Sequence, residues 1–293
     1  MPIARSNGVE LFYEDEGPRD GPAILLIMGL GTQMIAWPDT FRDGLVARGF
    51  RVVSYDNRDI GRSTALAGAS MPGVLWTALA AKLRLPLRLA YSLTDMARDA
   101  IGLLDALEIR AAHVVGASMG GAIAQELAIH HAPRLRTLTS IMATTGAPNL
   151  PPPTPEALAL LLTRAPSEIE PYLAHYAKLW SVLRGPGFEE DAARDAERGR
   201  LAHSRGLSPD GVARQLAAII ASGDRTAGLR SVRVPTLVIH GDADPLVRVE
   251  GGVATAAAVP EAQLLRIPGM GHALTLKHWP QIIDAIASHA AAH

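Results

Sequence analysis

A chain of 293 residues, 48% hydrophobic and 19% charged, is too apolar for disorder and long enough for one large α/β core with an insertion. A formal net charge of -1 and the lack of a dense Lys/Arg run argue against nucleic acid or an anionic membrane surface as partner. With no cysteine, disulfides, thiolate metal sites and cysteine nucleophiles are excluded as well.

Residues 1–7 lack the apolar core of a secretion signal, and Glu10, Glu14, Asp15 and Glu16 follow at once, so the expectation is a soluble, cytoplasmic protein. Residues 9–13 read as an antiparallel edge strand and 23–28 as a buried strand. That second strand runs into Met28-Gly29-Leu30-Gly31, where glycines let backbone approach a ligand closely. Gly29-x-Gly31 is not a dinucleotide fingerprint, because the third glycine falls at Met34. A helix over 37–48 and a strand over 51–55 follow. Residues 71–88 place Leu75, Leu79, Leu83 and Leu85 opposite Lys82 and Arg84, an amphipathic pattern that fits either the mouth of a site or a cover for the sheet edge. Lys82, Arg84, Pro86 and Arg88 prevent this greasy region from spanning a bilayer.

A helix over 93–107, with Thr94 as N-cap, leads to the most informative stretch, Gly116-Ala117-Ser118-Met119-Gly120. It joins a strand at 113–115 to a helical pattern at 119–131, the context of a nucleophile elbow. Only very small neighbours tolerate so sharp a strand-to-helix turn, and Gly116, Ala117, Gly120 and Gly121 supply them. After a strand at 137–142 the β/α alternation stops. Pro148, Pro151, Pro152, Pro153 and Pro155 form a stiff linker, and helical patterns follow at 155–164, 168–183, 189–205 and 209–222, the last with Ser208 as N-cap. The expected organisation is a core of 1–146 and 223–293 with a helical cap at 147–222. The sheet resumes with strands at 236–240 and 263–267, each followed by a helix, at 250–259 and 280–291.

A serine hydroxyl needs a histidine to take its proton and an acid to orient that histidine. Asp244 lies in the loop leaving strand 236–240, and His272 in the Gly-rich loop leaving strand 263–267. Strand ends on one sheet edge converge, so Ser118, Asp244 and His272 can close into a triad. Asp242 competes for the acid role. Asp244 is favoured because it lies farther round the turn and precedes Pro245, while Asp242 is expected to bond loop amides. His240 is expected to be packed or bonded to backbone, and His130 with His131 to be solvated near a helix end. The oxyanion donors are expected to be the backbone N–H groups of Met119 and Leu30. No metal signature is present and the chemistry needs no cofactor. Gly29, Met34, Ile35, Trp37, Leu150, Trp180, Leu246 and Val247 are candidate walls of a mostly apolar pocket that should favour uncharged esters.

With these residues in place, the chain resembles the α/β-hydrolase superfamily of serine esterases. Tyr55-Asp56-Asn57-Arg58-Asp59-Ile60-Gly61-Arg62-Ser63-Thr64, Met28-Gly29 and Ile267-Pro268-Gly269-Met270-Gly271-His272-Ala273-Leu274 look like the subgroup that includes aclacinomycin methylesterases. The resemblance implies an α/β-hydrolase fold, with a mostly parallel sheet flanked by helices and a helical cap inserted after the sixth strand. It also implies hydrolysis of small-alkyl or short-acyl carboxylic esters by Ser118, Asp244 and His272, with a small-molecule ester as partner and a monomer or homodimer left open. Lactonase, perhydrolase or haloperoxidase-like and carbon–carbon hydrolase activities share the triad, and a ligand-binding receptor with weak turnover is the rival outside enzymes. Two departures stand out. Met28 occupies a position where many members have histidine, and Asp59 one where the wider superfamily has glycine. Arg58, Asp59 and Arg62 are expected to form structural ion pairs.

Overall fold

Apolar runs without polar alternation dictate strands covered on both faces, and the computed structural model, which describes residues 2–69, 73–83, 85–186 and 192–293, shows how they are covered. The strands are β1 (Ile3–Ser6), β2 (Val9–Glu16), β3 (Ala23–Ile27), β4 (Arg51–Tyr55), β5 (Ala112–Ala117), β6 (Leu135–Ile141), β7 (Thr236–Gly241) and β8 (Gln263–Ile267). They form one sheet in the order β1-β2-β4-β3-β5-β6-β7-β8, with β1 and β2 antiparallel and the rest parallel. The helices are α1 (Asp39–Val46), α2 (Val74–Lys82), α3 (Leu93–Ala106), α4 (Met119–His130), α5 (Pro155–Leu162), α6 (Ile169–Leu183), α7 (Ala192–Ser204), α8 (Pro209–Ser222), α9 (Thr226–Leu229), α10 (Val249–Ala258) and α11 (Trp279–Ala291). Between β6 and β7 lie five helices and no described strand, α5–α8 among them.

Two cores sandwich the sheet, and the alternation of β3 feeds both. Leu25 and Ile27 pack with Met96, Leu103, Ile123 and Leu127 of α3 and α4, whereas Ile24 and Leu26 pack with Phe41 and Leu45 of α1 and Ile282 and Ile286 of α11. No helix among the described residues is long and apolar enough to cross a membrane.

Four local expectations change. The strand β1 lacks a predicted counterpart, although Asn7-Gly8, both at positive φ (47° and 81°), is the turn pair that closes its hairpin with β2. Helix α3 is capped by Ser92, not Thr94. Ser92 accepts from the Asp95 amide while Asp95 reaches back to the Ser92 amide, and Thr94 instead donates to Glu126 Oε2 at 2.9 Å. Helix α1 starts at Asp39 because Pro38 holds an extended conformation, leaving Trp37 outside it. Finally, α2 turns its leucines outward: Leu75 is 87% exposed, while Thr77 and Ala80 are buried. Their small side chains allow α2 to pack closely on α8, the only course open to a helix whose large residues lie on the other face. Met71 and Arg84 of that expected segment, and 189–191 of the third expected cap helix, lie outside the described residues.

Candidate active site

The elbow forms where β5 meets α4. Ser118 sits at φ 57° and ψ -118°, a strained left-handed conformation for a residue with a side chain. Its neighbours have no room for side chains: a Cβ on Gly116 would lie 2.1 Å from the Gly120 carbonyl oxygen, and one on Gly120 would lie 2.1 Å from that of Ile27. The Ser118 amide is spent on the Ile141 carbonyl at 2.9 Å, while Met119 is the first residue of α4, where amides have no partner within the helix. That amide and the helix dipole together favour negative charge above the elbow.

The strand ends bring three distant residues into one hydrogen-bonded run. The Ser118 hydroxyl lies 2.9 Å from His272 Nε2, and His272 Nδ1 lies 2.7 Å from Asp244 Oδ2. A carboxylate can only accept, so Nδ1 carries the proton and Nε2 is left free to take the one on Ser118. His272 and Asp244 are buried and Ser118 is half-buried. Burial opposes ionisation of Asp244, but the adjacent His272 and the hydrogen bonds of His240 and His272 hold its carboxyl well below the usual carboxylate range.

Asp244 has a double role that the loop sequence does not reveal. Its Oδ1 accepts from the amides of Leu246 and Val247 at 2.9 and 2.8 Å, while Oδ2 faces His272. Asp242, expected to bond those amides, instead pairs with Arg266 at 2.8 Å near the surface. His240 is fully buried and donates from Nε2 to the Val247 carbonyl at 2.7 Å, with Asp244 Oδ2 3.5 Å away. The backbone of His272 is also held from outside the sheet. Its amide donates to the Leu183 carbonyl at 2.6 Å, and the Gly271 amide to that of Arg184 at 3.0 Å, so the C-terminal carbonyls of α6 carry the loop.

On the facing side, the loop after β3 lies against the serine. A Cβ on Gly29 would meet Ser118 Cβ at 3.1 Å, which explains the glycine. Asn57 Nδ2 pins the Met28 carbonyl at 3.0 Å, and Gln215 Oε1 of α8 accepts the Gly31 amide at 3.0 Å. With the Gly31 amide committed, Leu30 stands between two fixed points at the rim of the cavity.

Arg58 and Asp59 do not pair with each other. Arg58 binds Asp99 of α3 through two short hydrogen bonds, at 2.6 and 2.5 Å, and Asp59 takes a bidentate contact from Arg214 of α8, at 2.8 and 2.7 Å, plus the Tyr91 hydroxyl. Burial opposes ionisation of Asp59, yet the Arg214 contact and the Leu66 amide keep its carboxyl below the usual range. Asp56 is ion-paired with Arg205, just beyond α7, at 2.6 Å and accepts the Met34 amide at 2.8 Å. Sequence reading missed the partners Arg205, Arg214 and Gln215, since nothing in a helical pattern says which polar residue meets a loop some 150 positions away.

A cavity of about 1520 Å³ opens above Ser118 and His272, lined by Gly29, Leu30, Ile35, Leu150, Trp180, Leu246 and Val247 among many others. It exceeds the roughly 300–1,000 Å³ typical of small-molecule pockets. Two expected walls lie elsewhere. Met34 and Trp37 are fully buried in the protein interior, Trp37 with its ring 5.4 Å from that of Phe41. Among the described residues no cluster of three or more His, Asp or Glu side chains is placed to hold a metal ion.

The family model for the alpha/beta hydrolase fold matches residues 22–278. The rhodomycin D methylesterase of Streptomyces peucetius is 32% identical over 314 residues, covering 100% of this chain and 99% of the relative. That of Streptomyces sp. strain C5 is 32% identical over 306 residues, with 97% and 96% covered. Among solved structures, the meta-cleavage product hydrolase of Pseudomonas fluorescens superposes with a TM-score of 0.77 at 19% identity, over 100% of this chain and 98% of that one; at this identity the likeness concerns the fold.

Proposed function

Because the chain belongs to the alpha/beta hydrolase fold family and its relatives include two methylesterases that it matches over almost its whole length, it is an ester hydrolase, and we propose that it cleaves small-alkyl esters of bulky carboxylic acids through an acyl-enzyme on Ser118. The reading rests above all on the hydrogen-bonded run from Ser118 through His272 to Asp244, at the floor of a cavity large enough for such an acid. Residues 147–222 serve in this reading as a cap domain that holds the acyl group.

In the first half-reaction His272 Nε2 takes the Ser118 proton as Oγ attacks the ester carbonyl carbon. The oxyanion rests on the amides of Met119 and Leu30, which stay aimed at it because Asn57 and Gln215 fix the loop on either side. Collapse expels the alkoxide, which leaves as the alcohol with the proton from His272. Water then gives a proton to His272 and attacks the acyl carbon, and Ser118 recovers its proton as the acid is released. Throughout, Asp244 stays ionised and neutralises the imidazolium, consistent with its lowered carboxyl pKa. No cofactor enters, and the enzyme works in the cytoplasm on a diffusible ester.

The test is a panel of bulky methyl esters, p-nitrophenyl esters of graded acyl length and lactones, with alcohol release followed at early times. A burst of alcohol equal to the enzyme concentration, absent in Ser118→Ala, is expected. Steady ester cleavage by Ser118→Ala would overturn the mechanism, and preference for lactones over every open ester would reassign the substrate.

A further inference from the structure

The helices α6 and α7 form one wall of the cavity, and its side chains are not those of a purely apolar acyl pocket. Along α6, Tyr172, Tyr176 and Trp180 follow one another at four-residue spacing, with successive ring centroids 5.9 Å apart, and all three line the cavity. Arg198 of α7 lines it too. Its Nη2 is buried without a hydrogen-bond partner, as is Arg184 Nη1, whereas the Trp180 indole N–H is within reach of the Tyr176 hydroxyl. A guanidinium can only donate, and the Tyr176 hydroxyl that acts on Arg198 is a neutral acceptor, so what Arg198 lacks is an anionic one.

The described carboxylate acting on Arg198 is Asp195, and it is already ion-paired with Arg184. Arg194 is engaged elsewhere, with its guanidinium 5.0 Å above the Trp279 ring. Burial accordingly pulls the Arg198 guanidinium below the ordinary arginine value, the direction taken by a cation whose desolvation is not fully offset. The charge balance of the cavity agrees. Among its described lining residues are seven Arg or Lys and three Asp or Glu, in a chain of net charge -1. A buried donor without a partner in the free protein is one that a ligand can satisfy, and a guanidinium pairs best with an anionic oxygen.

We infer that Arg198 forms a subsite for an acidic oxygen, a carboxylate or an ionised phenol, on the acyl side of the ester and remote from the bond that Ser118 cleaves. This deepens the methylesterase reading and depends on it. It also narrows the expectation of uncharged esters: the reacting end of the substrate is neutral, and its far end is not.

The experiment compares wild type, Arg198→Met and Arg198→Lys on three sets of methyl esters. The first set is monomethyl esters of straight-chain diacids of increasing length, the second a methyl hydroxybenzoate whose phenol is acidified by nitro groups, and the third the neutral methyl esters of matching monoacids. Wild type should show a lower KM for at least one acidic ester than for its neutral match. Arg198→Met should raise that KM by about 10- to 100-fold with kcat nearly unchanged, as loss of a charge-assisted contact made equally in ground and transition states requires. Arg198→Lys should keep part of the advantage. Neutral esters should change by less than about twofold in both variants, which also certifies that each is folded. A response confined to the diacid series identifies the oxygen as a carboxylate, and one confined to the nitrated phenol as a phenolate. If wild type cleaves neutral esters but gives no acidic ester an advantage, or if Arg198→Met loses neutral and acidic esters alike, the subsite is wrong and the esterase reading survives. Failure to cleave any ester overturns both.

Discussion

The two ends of the helical segment α5–α8 are attached to the sheet in different ways. The end formed by α8 and the turn after α7 is bolted to the loops after β3 and β4. Arg205–Asp56 and Arg214–Asp59 are ion pairs with almost no exposed side-chain surface, and Gln33 donates to the carbonyls of Ala202 and Gly206 at 2.8 and 3.0 Å. The α5–α6 side is held by backbone hydrogen bonds, from the Thr154 amide to the Pro245 carbonyl at 2.8 Å and from the amides of Gly271 and His272 to the α6 carbonyls. The ion pairs Lys178–Glu156 and Arg164–Asp210 run within the segment on its surface, with more than half of each side chain exposed. The lesson concerns where accuracy is needed. The bolted end positions the proposed oxyanion loop, where misplacement by an ångström costs rate, while the wall with unpartnered donors faces the part of the cavity proposed to take the acyl group.

The largest effect should come at the centre on which both regions converge. Ser118→Ala should lower turnover by roughly three to six orders of magnitude and Asp244→Asn by about four, measured as kcat on a p-nitrophenyl ester. A loss below tenfold in either variant would mean that the hydrogen-bonded run is structural.

Next in size are the bolts. Removing one partner of a buried ion pair strands the other charge, so Asp59→Ala should cost about 3–5 kcal/mol in urea unfolding, whereas Asp59→Asn combined with Arg214→Gln, which leaves no lone charge and keeps an acceptor for the Leu66 amide and the Tyr91 hydroxyl, should recover part of it. A single variant as stable as wild type would erase the contrast between the two ends. On the surface side, Lys178→Ala should change stability by no more than about 1 kcal/mol. A larger cost there would show that the exposed pair holds as firmly as the buried ones.

A smaller effect comes from His113 in β5, directly beneath the elbow. Burial, reinforced by the positive charge of Arg136, lowers its pKa from 6.5 to about 4. A depressed value means that the unfolded chain takes up the proton first, so stability is complete above about 6.5 and is lost as pH falls towards 4. Melting temperatures of wild type and His113→Asn between these limits should converge as acid is added. Parallel curves would remove His113 from the account of acid sensitivity.

The core and the hydrogen-bonded run of Ser118, His272 and Asp244 were legible because both are written locally. Strands buried on two faces are continuous apolar runs, and the elbow needs its small residues adjacent to Ser118, where spacing displays them. Asp244 and His272 could be assigned because each follows a strand that the sheet must bring to the same edge. The remainder depends on long-range pairing. Asp59 gives no sign that its partner is Arg214, 155 residues away, nor does Ser118 reveal that Met34 and Trp37 turn into the interior. The leucines of α2 misled for a related reason. Periodicity shows that a helix has an apolar face, but the small face of Thr77 and Ala80 is the one that packs.

The amides of Gly271 and His272 hang from the last carbonyls of α6, the same helix that presents Tyr172, Tyr176 and Trp180 to the cavity. The proposed acyl wall and the proposed base therefore share one mechanical part. Anyone reshaping the acyl pocket by substitution on α6 will shift the imidazole as well, so variants chosen for a new ester should be screened for kcat on the old one. On α7 only Asp195, paired with Arg184, and the Gly199 contact with Leu173 and Tyr176 reach that suspension, so Arg198 is the cleaner position at which to alter preference.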